Sequence, residues 1–374
     1  MNKRKVLITA SMFSHLAHFH AAYLHAFQES GWIVHVAGGG DTPELGFADR
    51  MISLPFEKRY LSMKNLKAAG VLHRLMVEEQ YDLVITHTTL AAFFTRLAVR
   101  GLTVKPRVIV MMHGYLFDDD SSRLMRSMLL SAERYTARDT DLLLTMNQWD
   151  YALAKQYRLG REIRNIPGLG VDYTQFGELT QTGKAQMRQR LGLSPDSFVL
   201  FFAAEFTTRK SQQVLIRMMK ELPERAVLVL AGSGIRKEDC MELTKAEGLD
   251  SRVLFPGYVD PTWPWYSMAD VAVSSSRLEG MPFNVMEAMH MGLPIVASRV
   301  KGNTDLITDE KNGLLVPYGD SHAFAQAVRR LIDSPELCRR LGAQARLDSE
   351  KYAIEHILPG VMELYLADTE KQQA

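Results

Sequence analysis

One short stretch of strand, loop, helix and strand constrains the fold of this chain more than any other. Residues 271–275 form an apolar strand that leads into a polar loop, and Pro282 predicts the first position of a helix, where a backbone N–H is not needed. Gly292 ends that helix, and a second buried strand begins at Ile295. Two apolar strands joined by a helix predict a parallel pair in an α/β sheet.

The same alternation of apolar strands and helices fills both halves of the 374 residues. The predicted strands are 6–10, 33–37, 51–54, 83–86, 108–112 and 142–146 in the first half, and 198–204, 226–231, 253–255, 271–275 and 295–297 in the second. This alternation predicts two doubly wound parallel sheets. A polar stretch at 174–182 predicts a hinge between two α/β domains, residues 1–172 and 184–351.

Two local features of the first domain predict a helix and a turn. Residues 19–30 are predicted as one helix that ends at Gly31. Gly38, Gly39 and Gly40 follow the second strand and do not form the G-x-G-x-x-G fingerprint of a dinucleotide site, so they are predicted as a turn.

Composition argues against several classes of function. The 44 basic and 43 acidic residues nearly cancel, so no whole-protein field favours nucleic acid. Cys240 and Cys338 match no metal or redox spacing, and such sparse cysteine predicts a reducing compartment. The basic start is predicted as a first strand rather than a signal peptide. The lack of an apolar run of about 18 residues predicts no membrane span.

The loop and helix around residue 280 carry the chemistry of a ligand site. A helix start offers backbone N–H groups and the positive end of a dipole, which suit a phosphate. Glu279 and Glu287 bracket this start, and a carboxylate can accept hydrogen bonds from a pair of sugar hydroxyls. The pattern predicts a sugar-nucleotide site; the alternative is a crossover helix with two solvated glutamates.

Other candidate residues follow other strands. Arg209 and Lys210 stand between a strand and a helix, where two cations suit a diphosphate, although a solvated basic turn has the same pattern. His87 and His113 follow strands of the first domain. We expect them at the edge where open α/β sheets bind ligands.

Two D-x-D patterns raise a metal-dependent alternative. Residues 118–120, and Asp139 with Asp141, have the spacing of carboxylate pairs that chelate a divalent ion. The first pattern suits a helix start, where carboxylates are favoured, and the second precedes a strand. We therefore predict no metal site at either.

The glutamate pair also carries a family resemblance. Glu279, seven intervening residues and Glu287 lie within E-G-M-P-F-N-V-M-E-A-M-H-M-G-L-P-I-V-A-S, which resembles the signature of glycosyltransferase family 4. H-L-A-H-F-H, P-F-E-K-R-Y, M-M-H-G-Y, A-G-S-G and F-P-G-Y-V-D extend the similarity over nearly the whole chain. They resemble the branch that builds capsule, exopolysaccharide and O-antigen repeats. The resemblance implies the GT-B fold, two doubly wound domains that face each other across a central cleft, with residues 353–374 packed back onto the first domain.

The resemblance further implies a role for each site residue. Glu287 would hold the ribose of a nucleoside-diphosphate sugar, and Glu279 would hold its sugar. The other donor contacts would come from Arg209, Lys210, Gly257, Tyr258, Gly280, Met281, Pro282 and Phe283. His113 would act in catalysis with Lys210 and Glu279, and His15, Arg59 and His87 would lie on the acceptor side.

Several positions depart from the family pattern. Glu205 occupies the place of an arginine that usually ends its strand. A carboxylate cannot pair with phosphate, so Arg209 is the residue expected to substitute. Ser14 and His15 occupy the first loop in place of glycines, and Asp305 stands for a glutamate.

We therefore expect, on the resemblance, a retaining and metal-independent hexosyltransferase that needs no cofactor. Its partners would be a nucleoside-diphosphate sugar, with UDP as the nucleotide, and a lipid-linked glycan acceptor. A sugar-nucleotide epimerase of the same architecture and a non-catalytic nucleotide-sugar-binding partner protein are the alternatives.

A basic patch in the first domain predicts contact with an anionic membrane. It comprises Lys58, Arg59, Tyr60, Lys64 and Lys67, with Arg123 and Arg126 as an extension. Each cation near an anionic surface contributes about 1 kcal/mol to binding. We expect a cytoplasmic protein at the inner face of the cell membrane; a plain solvated face is the alternative for the patch.

Overall fold

The structure is a computed structural model that describes residues 3–41, 46–57, 62–177 and 181–367. The chain divides into two compact units. The first runs to Gly170 and resumes at Glu355, and the second runs from Val171 to Ile354. Each unit is a parallel β-sheet with helices packed against it.

The elements follow one another as strand and helix along most of the chain. The strands are β1 (Lys5–Met12), β2 (Ile33–Gly39), β3 (Arg50–Ser53), β4 (Leu83–His87), β5 (Arg107–Met112), β6 (Leu142–Thr145), β7 (Glu162–Asn165), β8 (Phe198–Ala203), β9 (Ala226–Ala231), β10 (Val253–Gly257), β11 (Val271–Ser274), β12 (Ile295–Ser298) and β13 (Leu314–Val316). The helices are α1 (Phe13–Phe19), α2 (Ala21–Glu29), α3 (Met63–Glu79), α4 (Thr89–Val99), α5 (Arg123–Thr136), α6 (Gln148–Tyr157), α7 (Gln181–Arg190), α8 (Gln212–Met218), α9 (Lys237–Ala246), α10 (Trp263–Met268), α11 (Phe283–His290), α12 (Asn303–Leu306), α13 (Ser321–Asp333), α14 (Pro335–Ser349) and α15 (Ile354–Leu366).

The first unit is built on seven parallel strands in the order β3-β2-β1-β4-β5-β6-β7. Every residue of β4 and β5 is buried, as expected for central strands covered on both faces. Leu7 of β1 and Val84 of β4 share one apolar core with Leu72 of α3.

The helix α15 returns to this first sheet. The guanidinium of Arg107, at the start of β5, donates hydrogen bonds to the carbonyl oxygens of Leu364 at 3.1 Å and Tyr365 at 2.7 Å. The ring of Tyr365 stacks on Phe27, with centroids 6.0 Å apart. A buried guanidinium that satisfies the carbonyls of a helix end fixes α15 to the sheet.

The second unit is built on six parallel strands in the order β10-β9-β8-β11-β12-β13. Val273 and Phe324 belong to one of its apolar cores. The carboxylate of Asp270 joins helix and sheet, because it accepts from Arg188 of α7 at 2.6 Å and from the backbone N–H of Val199 at 2.8 Å.

The strand order of each sheet reverses once beside its first strand. The reversal lies between β1 and β4 in the first sheet and between β8 and β11 in the second. Connections leave these neighbouring strands in opposite directions, which opens a crevice at their carboxyl ends. Ligands of open α/β sheets bind in such crevices.

The first predicted helix is wrong in one respect that bears on function. Residues 19–30 do not form one helix, because α1 ends at Phe19 and α2 begins at Ala21. His20 lies between them with φ −125° and ψ 2°. This backbone turn carries its imidazole into the interior, where the residue is 1% exposed.

The predicted glycine turn is also shifted, because Gly38 and Gly39 belong to β2. A Cβ on Gly39 would lie 2.9 Å from the carbonyl oxygen of Ser11, and one on Gly38 would lie 3.2 Å from the backbone nitrogen of Phe13. The close approach of β2 to the β1–α1 connection therefore requires glycine.

Short elements escaped prediction because they carry too little pattern. β7, β13, α10 and α12 contain three to six residues each. Pro282 is the residue before the first turn of α11, not the first helical residue, since its φ and ψ are −76° and 115°. No helix in the described part of the chain combines the length and apolar character that a bilayer crossing requires.

Candidate active site

Two loops at the switch point of the second sheet bring three charged residues together. Arg209 and Lys210 follow β8, and Glu279 follows β11. The ammonium of Lys210 lies 2.6 Å from one carboxylate oxygen of Glu279, and the guanidinium of Arg209 lies 3.3 Å from the other. The structure thus joins two residues predicted separately, 69 positions apart.

Hydrogen bonds to the main-chain carbonyl oxygens of Arg209 and Lys210 hold the two loops in register. The hydroxyl of Ser275 donates to the carbonyl oxygen of Lys210 at 2.9 Å. The N–H of Arg277 donates to the carbonyl oxygen of Arg209 at 2.8 Å. Because these bonds use main-chain atoms, the cations are positioned by the fold and not only by their own side chains.

A glycine presses against the other side of Glu279. Gly302 has φ +82°, and a Cβ built on it would lie 2.8 Å from the Cβ of Glu279 and 2.8 Å from the carbonyl oxygen of Gly280. Its N–H donates to the carboxylate of Asp305 at 3.1 Å. Gly302 is therefore a positioning residue for the loop. In the sequence, only its place three residues before Asp305 marked it.

Glu279 keeps its negative charge although it is buried. Burial raises the pKa of its carboxyl, but the adjacent charges of Lys210 and Arg209 lower it more, so the pKa lies below its ordinary value. One carboxylate between two cations leaves a net positive loop. A positive loop at a sheet edge suits an anionic ligand.

The helix start beside Glu279 adds to this positive character. Pro282 precedes α11 and makes no side-chain capping bond. The loop of Gly280 and Met281 runs directly before it, and Phe283 opens the first turn. The positive end of the helix dipole therefore lies at this loop.

Glu287, in the second turn of α11, has a different environment. The hydroxyl of Thr262 donates to its carboxylate at 3.2 Å, and the Tyr266 side chain lies beside it. Burial, with a smaller contribution from Asp260, raises the pKa of Glu287 to about 7 against the opposing hydrogen bonds from Tyr266 and Thr262. Sequence reasoning missed Thr262 and Tyr266, because α10 was not predicted.

Gly257 and Tyr258 lie at the end of β10, on the same edge of the second sheet. The carbonyl oxygen of Gly257 accepts from the N–H of Gly232 at 2.7 Å, and Tyr258 is 64% exposed. A Cβ on Gly232 would lie 2.1 Å from the carbonyl oxygen of Ala204, so this glycine keeps two loops in contact. Glu205, next in that loop, is exposed.

The switch point of the first sheet carries a group of four histidines instead, which we call the histidine cluster: His15, His20, His87 and His113. The Nε2 atom of His113 lies 3.3 Å from Nε2 of His15 and 3.2 Å from Nδ1 of His87. The rings of His20 and His87 have centroids 3.7 Å apart. The structure therefore joins three predicted residues and adds His20, which the single-helix prediction concealed.

The histidine cluster is neutral at ordinary pH. Burial lowers the pKa of each imidazole, and the neighbouring histidines lower it further; for His15 the value is about 4. A neutral imidazole carries one donor and one acceptor nitrogen. The cluster can therefore exchange hydrogen bonds with a polar ligand without adding charge.

The remaining predicted residues lie away from these two groups or outside the described residues. Lys58, Arg59 and Tyr60 lie outside the described residues. In the D-x-D segments, Asp139 pairs with Arg100 at 2.7 Å and Asp141 with Arg161 at 2.7 Å. Asp119, from the first segment, pairs with Arg126 at 2.8 Å. These three ion pairs give the aspartates a structural role.

Known proteins resemble the chain over both units. The model of "Glycosyl transferases group 1" matches residues 183–348, and that of the "Glycosyl transferase 4-like domain" matches residues 18–167. EpsD of Bacillus subtilis, named as a glycosyltransferase, is 31% identical over 369 residues, which cover 97% of each chain.

Two further comparisons concern substrate and fold. The Escherichia coli UDP-Gal:alpha-D-GlcNAc-diphosphoundecaprenol alpha-1,3-galactosyltransferase is 27% identical over 297 residues, covering 77% of this chain and 76% of that one. The crystal structure of Anabaena HepE in complex with UDP and glucose matches with a TM-score of 0.82 and 18% identity, covering 96% of this chain and 99% of that chain.

Fold and comparisons together define a glycosyltransferase of the GT-B type. The chain belongs to the group 1, family 4-like glycosyltransferases, and its relatives include enzymes of polysaccharide and lipopolysaccharide biosynthesis. The predicted fold class and family are confirmed.

Proposed function

We propose that this glycosyltransferase moves a hexose from a UDP-sugar to a lipid-linked glycan, with retention of configuration and without a divalent ion on the diphosphate. The observation that carries the proposal is the contact of Lys210 and Arg209 with Glu279 beside the start of α11. The UDP complex of the HepE structure and the substrates named for the E. coli relative support the choice of nucleotide and acceptor.

The cations would act on the diphosphate. As the sugar departs, negative charge builds on the leaving phosphate oxygen, and Lys210 and Arg209 would stabilise it together with the dipole of α11. These fixed positive groups replace the charge that a metal ion supplies in other phosphoryl and glycosyl chemistry. This is why we propose metal-independent transfer.

The carboxylates would bind hydroxyl groups of the donor. Each oxygen of a carboxylate has two acceptor positions, so Glu279 can keep its cations and still accept from the sugar. Glu287 would accept from the ribose diol while Thr262 and Tyr266 hold its side chain. The backbone at Gly257 and Tyr258 would contact the base, and the loop of Gly280 to Phe283 would contact the sugar.

The first unit would supply neutral polar contacts. His113 would contact the transferred sugar, and His15, His87 and Arg59 would serve the acceptor, as the family resemblance implies. We also propose contact of this unit with an anionic membrane. Exposed apolar side chains of α3 and α5, Met63, Leu124 and Met128, accompany the basic residues of these helices.

A donor screen tests the proposed function. Unfolding of the full chain is measured with UDP-glucose, UDP-galactose, UDP-GlcNAc and the corresponding GDP-sugars. A donor at 100 times its Kd stabilises the folded state by about 2.7 kcal/mol. Stabilisation by a UDP-sugar, followed by transfer to a synthetic polyprenyl-diphosphate sugar with the donor's anomeric configuration, is the expected result.

Three outcomes would contradict the proposal. An inverted anomer would reject retention, and stabilisation by GDP-sugars alone would reject UDP. UDP binding without turnover on any acceptor would favour a non-catalytic partner.

The membrane contact is tested separately by co-sedimentation with phosphatidylglycerol vesicles. Vesicle binding that depends on neither the anionic lipid nor the salt concentration would reject this contact.

A further inference from the structure

The histidine cluster contains an unusual buried side chain. His20 is 1% exposed, and within the described part of the chain neither of its ring nitrogens has a hydrogen-bond partner. A buried polar group left without a partner costs about 1–3 kcal/mol. The turn between α1 and α2 holds His20 buried without a hydrogen-bond partner from the residues that the structure describes. A ligand that binds one of its ring nitrogens would offset this cost.

The neighbouring imidazoles place further nitrogens around the same point. One ring nitrogen each of His15, His20 and His113 lies within 4.8 Å of the other two. The separation of 3.3 Å between the Nε2 atoms of His15 and His113 is close to the edge of a zinc tetrahedron, about 3.3 Å for Zn–N bonds of about 2.0–2.1 Å. Among the described residues, this is the single group of histidine, cysteine and acidic side chains so arranged.

We propose that His15, His20 and His113 bind a divalent transition metal ion, with Zn²⁺ as the reference ion. Imidazole suits zinc, copper and nickel, whereas Mg²⁺ and Ca²⁺ prefer oxygen ligands. His20 is buried, but His15 and His113 are partly exposed, so we expect an ion to enter on their side. His87 is a positioning residue for both neighbouring rings, because its ring centroid lies 3.7 Å from that of His20 and its Nδ1 atom lies 3.2 Å from Nε2 of His113.

The neutral state of these imidazoles agrees with the proposal, since a protonated ring cannot ligate a metal. The site is distinct from the diphosphate contacts of the second unit, so it does not supply the charge that Lys210 and Arg209 provide. One expectation rests on the proposed function, in which His113 contacts the transferred sugar. A metal ion bound to His113 would remove that contact, so added Zn²⁺ is expected to slow transfer.

The test measures metal binding without donor or acceptor. The full chain, free of any added histidine tag and pretreated with EDTA, is titrated with Zn²⁺ by calorimetry and with Co²⁺ by visible absorption. We expect one ion per chain and the absorption bands of Co²⁺ with nitrogen ligands. His15→Asn and His20→Asn should each weaken binding by about 10- to 100-fold or more, the range found when supporting groups of metal sites are removed.

Two matched controls exclude other ligands. His25→Asn removes an exposed histidine of α2, and Cys240→Ser with Cys338→Ser removes both thiols; binding should be unchanged in each. His15→Asn keeps the test valid if His20→Asn does not fold. No stoichiometric binding by the folded wild-type chain, or equal binding by the His15 and His20 variants, would overturn the proposal. Either result leaves the donor screen untouched, so failure of the metal site and failure of the proposed function are distinguishable.

Discussion

The two units place their candidate residues at the same topological position but in opposite electrostatic states. At the switch point of the second sheet, buried Glu279 is ionised between Lys210 and Arg209. At the switch point of the first sheet, His15 and His113 and their neighbours are neutral. A buried charge persists only with a partner, whereas imidazole escapes that requirement by losing its proton.

Topology and side chains make separate contributions to the two candidate sites. Reversal of the strand order gives each unit a crevice at its carboxyl edge, whatever residues follow the strands. The residue types then decide which ligand suits the crevice. The switch point of the second sheet, which we call the charged edge, suits an anionic diphosphate. The switch point of the first sheet, which we call the neutral edge, suits hydroxyl groups or a metal ion.

Removal of Lys210 is expected to have the largest effect on the charged edge. Lys210→Ala should lower kcat by about 10²–10³, the cost of losing one donor to a developing oxyanion. Steady-state release of UDP measures this change. Lys220→Ala, which removes an exposed lysine paired with Glu247, is the matched control and should leave kcat unchanged. A variant at Lys210 that keeps wild-type kcat would show that the ion pair only shapes the loop.

Glu287→Gln should weaken use of the donor by about 10- to 150-fold, because a hydrogen bond to a charged group contributes about 1.5–3 kcal/mol. Since the pKa of Glu287 is about 7, wild-type donor affinity should increase from pH 6 to pH 8, and that of the variant should not. Titration calorimetry at three pH values measures both. Glu242→Gln, on an exposed position of α9, is the control.

The contribution of Glu287 to stability should have the opposite pH dependence to its contribution to donor affinity. The folded pKa of Glu287 lies above its ordinary value of 4.5, so its contribution to stability is present at low pH and is lost as pH rises through 7. Glu287→Gln should therefore not lower the melting temperature at pH 8. A fall of many degrees with intact donor affinity would make Glu287 a structural residue and reject the proposed ribose contact.

Acid should act on the neutral edge. The unfolded histidines titrate near 6.5, and the folded value for His15 is about 4, so the unfolded state binds protons first. The contribution of neutral His15 to the stability of the folded state is therefore complete above pH 6.5 and is lost as the pH falls toward 4. Urea denaturation in EDTA should show a shallower loss for His15→Asn, by about 1–2 kcal/mol at pH 5. The exposed His322→Asn should follow the wild type; a parallel loss in all three proteins would place the acid sensitivity elsewhere.

Chelation should have the smallest effect. Because the charged edge supplies fixed cations, transfer assayed in EDTA should proceed at the untreated rate. Loss of activity that Mn²⁺ or Mg²⁺ restores would mean that an ion serves the diphosphate, and the contrast between a charged edge and a metal-binding edge would then fail.

The sequence alone determined the alternation that builds both sheets. The strand 226–231 was predicted with its observed bounds, because six consecutive apolar residues admit few alternatives. Glu279 and Lys210 were predicted as site residues, since each follows a strand in a loop before a helix. These inferences need only neighbours in the chain, where propensity and periodicity act.

Only the tertiary structure decided which of these residues meet. The contact between Lys210 and Glu279 depends on β11 lying beside β8, a pairing that local pattern does not encode. His20 belongs to the histidine cluster because the predicted helix breaks at this residue. The break lets its ring pack against His87. Tertiary packing overrode the local helical preference there. In the second unit, burial likewise raises the pKa of Glu287 against the hydrogen bonds from Thr262 and Tyr266.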